Sequence, residues 1–452
     1  MICIYWKWRV GNALKAFCDS NGIPADIRDD SDNLSDFSVY NAIIPSPGIA
    51  PSHPIYQTGK IIGELDFIYH YLPKGFKILS ITGTDGKSTT AWLVYNLLKQ
   101  EYGEERVFLS GNFEIPFAET VQTIQKKWLK SGYIVLEVSS FMSYNIRTFK
   151  STHSIFTNFE TDHLNWHTDL QDYFNAKIRL FEHTTGASCI NEQVFSRAKE
   201  FGLTLSKKIP NVRVFWKIPP TPLTKGGNER SEWGDYIKNI KDRTDGENII
   251  ISGRKKYFLS ETQFSWMHNA MNILSSTLVT NALKICSKRI REYLRNISGL
   301  AHRLEFVTQK NGVNFIDDSK STSAQSLIAA LGSFETPHPS PLLEGEGDKQ
   351  VVLIAWGSDK WDTFEHLWPV LAEKVKHAEL IGATREILGK ICAEYDISYH
   401  YSESMDEAVQ LSALHATSWD TVLLSPGCAS FWMFKDYLDR ANKFRDSVLK
   451  SL

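Results

Sequence analysis

Between Ile81 and Val94 the chain reads ITGTDGKSTTAWLV, and its centre, Gly83-Thr84-Asp85-Gly86-Lys87-Ser88-Thr89, combines residue types that hold nucleotide phosphates. An apolar run from Ile78 to Ile81 precedes the glycines and a helical pattern follows Lys87, the strand–loop–helix context such a cradle requires. Glycines let the backbone turn tightly around phosphate oxygens, the N-terminus of the next helix presents free N–H groups, and the lysine adds a mobile positive charge. The hydroxyl of Ser88 can ligate Mg²⁺. The spacing is shorter than the common Walker A loop, whose first glycine stands five residues before the second; Ile81 occupies that position here. A glycine-rich turn capped by Asp85 or Ser88 has the same composition, so other residues must decide between the two readings.

Two further strand ends carry suitable chemistry. YIVLEVSSF delivers Glu137 where an open α/β sheet gathers its ligands, and SIFTNFETDHLNWH ends an apolar run with Asn158, Asp162, His163 and His167. A carboxylate at 137 can hold Mg²⁺ or serve as an ion-pair partner. A single histidine in such a place is more often structural than a ligand.

The elements that must position these residues read as α/β. Before Ile81 a small unit shows an apolar start, a helix near Ala13 to Ser20, the strand NAIIPSPGI and the run KIIGELDFIYHYL, with YLPKGF as a break around Pro73 and Gly75. The runs KILSIT, YIVLEVS and HSIFTNF then alternate with helical stretches at Thr89 to Gln100 and Tyr173 to Phe181, the order of a parallel sheet. Residues 212–259 hold short β-runs (VRVFW, NIIIS, KYFLS) that suggest an antiparallel appendage. From about Leu300 alternation restarts with VNFIDDS, QVVLIAW, AELIGA, ISYHY and TVLLSPG, while FETPHPSPLLEGEGDK reads as a flexible surface insertion. The reading is three α/β domains: 1–72, 73–299 and 300–452.

Composition excludes several classes. With 42% hydrophobic and 23% charged residues among 452, the chain is an ordinary globular one. Lys+Arg 50 against Asp+Glu 52 leaves a net charge of −2, without the basic bias of a nucleic-acid binder. The six cysteines form no C-x-x-C pair or framework, which suits a reducing compartment. MICIYWKWRVGN is too short and too charged for a secretory leader, and no stretch approaches ~18 uninterrupted apolar residues. A cytoplasmic protein without a membrane span is expected.

The ordered set of motifs resembles the Mur ligase family, ATP-dependent amide-forming enzymes of peptidoglycan precursor synthesis. GTDGKST is similar to that family's short loop, and the likeness continues through SGNFEIP, LEVSSF, TDHLNWH, YFNAKIRLF, MHNAMN, GLAHRLE, FIDDSKSTS and LLSPGCASFWMFKDY. Among the branches, LEVSSF, DSKST and LSPGCASF look like the D-glutamate-adding one, and the D-N-P-R-type motif of the diaminopimelate- or lysine-adding branch is absent.

The resemblance implies a Rossmann-like N-terminal domain, a central P-loop ATPase-type parallel-sheet domain and a Rossmann-like C-terminal domain. It implies ATP and two Mg²⁺ sites, with UDP-N-acetylmuramoyl-L-alanine and D-glutamate as substrates of a monomer. Lys87 and the loop amides would hold the β/γ-phosphates, Ser88 and Glu137 one Mg²⁺, and His163 with a carbamylated Lys177 the other. Arg303 and Asp318 match positions for phosphate and ribose, with Lys320 and Thr322 lining the same cleft. Lys360 and Thr322 would bind the D-glutamate α-carboxylate, Ser430 and Tyr437 would lie near its side-chain carboxylate, and Ser46 and Asn112 would contact the UDP substrate. Asn269 and Asn272, spaced i, i+3, share a helical face suited to reading adenine, or to capping the helix.

The chain also departs from the family. Its glycine-rich first turn is reduced to WKWRVGNA with Gly11 alone, and Met142 stands where glutamine is usual. Another Mur ligase or a folylpolyglutamate synthetase-type ligase would keep the ATP chemistry with other substrates, and a nucleotide-binding homologue without turnover is the alternative of a different class.

Overall fold

The computed structural model describes residues 1–7, 9–32, 37–113, 115–164, 166–217, 242–244, 248–251, 255–258, 262, 269–322, 324–334, 350–357, 368–382, 385–427 and 433–451. They divide into two compact units, Met1–Ser298 and Gly299–Leu452. The stretch read as an insertion, apart from its first residue Phe334, lies outside the described residues, as do Lys360 and Ser430.

The first unit opens with a parallel sheet of three strands in the order β2-β1-β3, formed by Ile2–Tyr5 (β1), Ala25–Arg28 (β2) and Ala42–Pro45 (β3). Helix α1, Arg9–Ser20, buries Leu14, Phe17 and Cys18, which share one face at helical spacing. It ends where Gly22, at φ 65°, lets its N–H reach Asp19 O while the Ile23 N–H reaches Cys18 O, a paired closure that satisfies the last carbonyls. Gly11, the survivor of the first turn, is required by packing: a Cβ there would lie 2.2 Å from Trp6 O.

The second sheet of this unit has nine strands in the order β12-β11-β10-β9-β8-β7-β4-β6-β5. Their ranges are Gly75–Thr82 (β4), Val107–Gly111 (β5), Ser131–Glu137 (β6), His153–Phe156 (β7), Ser188–Asn191 (β8), Val212–Lys217 (β9), Asp242–Thr244 (β10), Asn248–Ile251 (β11) and Lys255–Phe258 (β12). From β5 across to β10 neighbouring strands run parallel. Among the described strands only the β10–β11 and β11–β12 pairs are antiparallel, so the expected appendage is narrower than its β-runs suggest: β9 continues the parallel sheet.

Helices α3 (Lys87–Tyr102), α4 (Phe117–Lys126), α5 (Ser140–Tyr144) and α6 (Leu170–Glu182) link β4 through β8 in turn. The chain leaves β4 for β5 and β6 on one side, then crosses to β7 on the other, so the order reverses at β4 and opens a crevice at its C-terminal end. On α6 the buried residues Tyr173, Phe174, Lys177, Ile178 and Phe181 recur at helical spacing. The Phe181 ring stacks on Phe156 of β7 at 5.4 Å, and the Phe174 ring meets Phe159 edge-on at 4.9 Å. That aromatic packing fixes α6 against the sheet and carries Lys177 inward with it.

The second unit is a six-stranded sheet, order β13-β14-β18-β15-β16-β17, from Glu305–Lys310 (β13), Val313–Asp317 (β14), Val351–Gly357 (β15), Val375–Gly382 (β16), Ser398–Tyr401 (β17) and Thr421–Leu424 (β18). All its pairs are parallel except β13–β14, a hairpin turned by Asn311-Gly312 with both residues at positive φ. β13 lies outside the alternating strands read from sequence, although its Asn-Gly turn is a strong local signal.

The short helix α2, Glu64–Tyr69, buries two carboxylates, one of which ties it into the first unit. Asp66 accepts the N–H groups of Arg147, Thr148 and Phe149 at 2.8–3.0 Å. Glu64 is buried with neither side-chain oxygen hydrogen-bonded, and burial pushes its carboxyl from 4.5 up to about 7. A proton on this raised group favours the fold: its contribution is complete below the ordinary value of 4.5 and is lost as pH rises through about 7. Glu64→Gln, a neutral stand-in, should therefore raise stability over the parent at about pH 8 by roughly 3 kcal/mol and change little at about pH 4. Thermal unfolding at the two pH values measures this, and an equal difference at both would contradict it.

Candidate functional site

The loop Gly83–Gly86 leaves β4 at the point where the strand order reverses, and α3 starts at Lys87 with Gly86 as its N-cap at φ 73°. The glycines are demanded by the protein's own packing. At Gly83, φ 154°, a Cβ would come within 1.8 Å of Thr157 Oγ1; at Gly86 it would come within 2.6 Å of Asn272 Oδ1. The loop is held from the end of β7 by one side chain, since Asn158 Oδ1 accepts the N–H of Thr84 at 3.1 Å and of Asp85 at 2.8 Å. Thr157 Oγ1 donates to Asp85 O at 2.6 Å, and the Thr84 hydroxyl lies 3.2 Å from Tyr173 OH. Sequence reasoning named Asn158 as a strand-end residue without a role; its two bonds to the loop backbone need the β4–β7 adjacency.

Both lysines converge on this loop. Lys87 Nζ donates to Thr84 O at 2.6 Å. Lys177 Nζ donates to Gly83 O at 2.7 Å and lies 4.6 Å from the centre of the Tyr173 ring. Burial holds the Lys177 amine well below the usual lysine range, and the Lys87 charge lowers it further, against the pull of Asp162, Asp85 and Glu137.

Glu137 ends β6 beside the loop. Its Oε1 accepts from Asn112 Nδ2 at 2.8 Å, while Oε2 is buried without a hydrogen-bond partner. A buried carboxylate oxygen in that condition suits a cation, and Ser88 is buried in the first turn of α3. Asn112 therefore faces the carboxylate.

His163 sits at φ 56°, its ring 4.7 Å from that of Phe141 and 5.8 Å from Tyr173, its Nε2 3.3 Å from Asp162. His167 is built in more deeply, between Asp172 and Ser140 at 2.9 Å each, and burial lowers its pKa against the opposing pull of Asp172.

Asn269 and Asn272 do share a face of the helix Asn269–Ala282, turned toward α3. Asn272 Oδ1 accepts from Thr90 Oγ1 at 3.1 Å and its Nδ2 donates to Asn269 Oδ1 at 3.2 Å. Ser46, at the end of β3, is buried with its N–H on Tyr5 O. Thus the first unit brings together residues 83–89, Asn112, Glu137, Lys177, Asn269 and Asn272.

The second unit gathers its own set at the end of β14. Asp318 accepts from the Leu304 N–H and from Ser425 Oγ, and burial pushes its carboxyl up to about 7 despite the lowering effect of Arg303. Arg303 Nε is buried without a hydrogen-bond partner. Lys320 Nζ lies 5.2 Å from the Tyr437 ring centre, and Thr322 is exposed. The buried Arg440 bonds Ser319 through Nε to Oγ at 2.9 Å and through a terminal nitrogen to the carbonyl at 2.5 Å, holding the turn that carries Lys320; sequence reasoning did not single it out.

A parallel sheet with its switch point under a glycine-turned loop, followed by a lysine-led helix, defines a nucleotide-phosphate-binding α/β fold. Comparison with known proteins narrows this class. The Mur ligase middle domain model matches residues 81–280. Over 415 residues the chain is 33% identical to the UDP-N-acetylmuramoylalanine–D-glutamate ligase of Aquifex aeolicus, covering 90% of this chain and 88% of the relative. It is 32% identical over 427 residues to the protein of the same name from Caldicellulosiruptor bescii, covering 90% and 83%. The solved MurF ligase of Thermotoga maritima in complex with ADP aligns with TM-score 0.59 at 14% identity, covering 100% and 94%, a likeness of fold. The chain belongs to the Mur ligase family.

Asn158→Ala removes both acceptor contacts from the loop amides. We expect affinity for an adenine nucleotide to fall about tenfold, the equivalent of about 1.4 kcal/mol for two lost hydrogen bonds to an ordered loop. Titration of ADP by calorimetry reads this directly, and unchanged affinity would show that the loop holds its shape without the clamp.

Proposed function

We propose that the chain is an ATP-dependent ligase that joins D-glutamate to UDP-N-acetylmuramoyl-L-alanine through an acyl phosphate. The observation that carries the reading is similarity spanning nearly the whole chain to D-glutamate ligases, combined with two lysines and an orphaned carboxylate oxygen around one loop. Three anionic ligands must meet in such a reaction, so positive charge at the transferring phosphoryl group is the chief catalytic requirement.

Residues 83–89 hold the phosphates through loop amides and the α3 N-terminus, and Lys87 exchanges its bond to Thr84 O for a phosphate oxygen. Ser88 and Glu137 would hold one Mg²⁺, and His163 with a carbamylated Lys177 would hold a second. Bound there, Mg²⁺ supplies charge stabilisation for phosphoryl transfer. Asn269, Asn272, Arg303 and Asp318 serve the nucleotide. Ser46 and Asn112 serve the UDP substrate, and Lys320, Thr322, Lys360, Ser430 and Tyr437 the amino acid. The segments 1–72, 73–299 and 300–452 carry the main share of binding the UDP substrate, ATP and D-glutamate respectively. Among the described residues no helix is long and apolar enough to cross a membrane. From the substrates of the proposed reaction we assign the protein to the cytoplasm, and we propose that it acts as a monomer.

The depressed Lys177 amine supports the carbamate, because only a neutral amine attacks CO₂, and the product, on releasing one proton to solvent, turns a buried neutral amine into a metal-binding anion. Lys177→Ala should abolish turnover, with partial recovery on adding short carboxylates; full activity in the variant would remove the carbamate from the mechanism. Substrate choice is tested by offering amino acids singly with ATP and UDP-N-acetylmuramoyl-L-alanine. Phosphate should be released with D-glutamate and not with L-alanine, L-lysine or diaminopimelate, and release driven by one of the others would reassign the branch.

A further inference from the structure

Three of the chain's thirteen histidines converge on one buried carboxylate in the second unit, and none of the four has a proposed role in ligation. His377 and Glu379 are two apart on β16 and so share a face of the sheet, and His400 pairs with Glu379 across the β16–β17 register. His415 closes the last turn of the helix Met405–His415. His377 Nε2 lies 2.9 Å from Glu379 Oε1, His400 Nδ1 lies 3.3 Å from Oε2, and the His415 ring stacks on His377 at 3.7 Å.

Glu379 is wholly buried, and among the described residues its only ionisable partners are these imidazoles; Lys376, close in sequence, is paired with Asp420. A second trio, His302, Glu305 and Asp317, differs in this respect, because Arg445 pairs with both of its carboxylates.

We propose that His377, Glu379 and His415 form a site for a divalent transition-metal ion of the zinc class, tying the end of the helix to the sheet. Imidazole nitrogen with carboxylate oxygen is a donor set for zinc, whereas Mg²⁺ and Ca²⁺ take oxygen ligands. Outer contacts of the kind that orient metal ligands are in place: Ser398 Oγ lies 2.9 Å from His377 Nδ1, and Ser402 Oγ donates to Glu379 Oε2 at 2.6 Å. The three ligand atoms all lie within 4.8 Å of one another, with His377 Nε2 and Glu379 Oε1 at 2.9 Å, so a small adjustment brings them to the roughly 3.3 Å between donors around a tetrahedral zinc. His415 is exposed on a terminal helical turn, which leaves its ring room to make that adjustment. The open side, where His400 is 48% exposed, gives the ion its path.

The test uses the full chain stripped with chelator, then titrated with ZnCl₂ in excess Mg²⁺, parent against His415→Ala, which leaves the buried floor untouched. The parent should take up one more zinc per chain than the variant, or bind that zinc at least about tenfold more tightly, with a zinc-dependent rise in thermal midpoint that the variant lacks. Co²⁺ in place of zinc should give the visible absorption of a tetrahedral site in the parent alone. Equal zinc uptake and affinity in the two proteins, or no uptake by either, would overturn the proposal and leave the cluster a hydrogen-bonded imidazole stack.

Discussion

Beneath the phosphate loop, a lysine amine buried to 1% exposure donates to the carbonyl of Gly83, and much of the first unit's architecture serves that contact. Burying a charged ammonium is costly, so the surroundings favour the neutral amine. Its position follows from the aromatic stripe of α6: Phe174 and Phe181 against Phe156 and Phe159 set the rotation of the helix, and Lys177 must then point under the loop. Tyr173, one turn before, reaches the Thr84 hydroxyl from the same face. The loop thus rests on a helix that the apolar core has already oriented.

The clamp from β7 works in the same sense. The Asn158 carboxamide takes two loop N–H groups and leaves the rest of the loop and the start of α3 to a ligand. Charges of both signs stand at the loop: Lys87 at the helix N-terminus, bonded to Thr84 O, and Glu137 with its unpaired Oε2. The proposed places for a nucleotide phosphate and its metal rest on that arrangement.

The site was legible in sequence where chemistry and local pattern coincide. The loop and α3 could be placed because an apolar strand, glycines, lysine and helical periodicity follow one another directly, and the likeness in motif order identified the family. Partnerships across the chain were another matter. Asn112 on Glu137, Asn272 on Thr90, and Arg440 behind Ser319 join residues 25, 182 and 121 positions apart. The parallel pairing of β9 was hidden for the same reason, since a short β-run carries no mark of its partner's direction.

By itself the sequence determined the alternation of strands and helices, the short phosphate loop and the residue types gathered around it, because side-chain periodicity and turn chemistry act over a few neighbouring positions. Only the tertiary structure decided that β4 stands between β6 and β7, that Gly83 must lack a Cβ on account of Thr157, and that Lys177 is a buried amine under the loop. Each depends on which strands become neighbours and on how much water a side chain loses, and both are set by packing of the whole sheet.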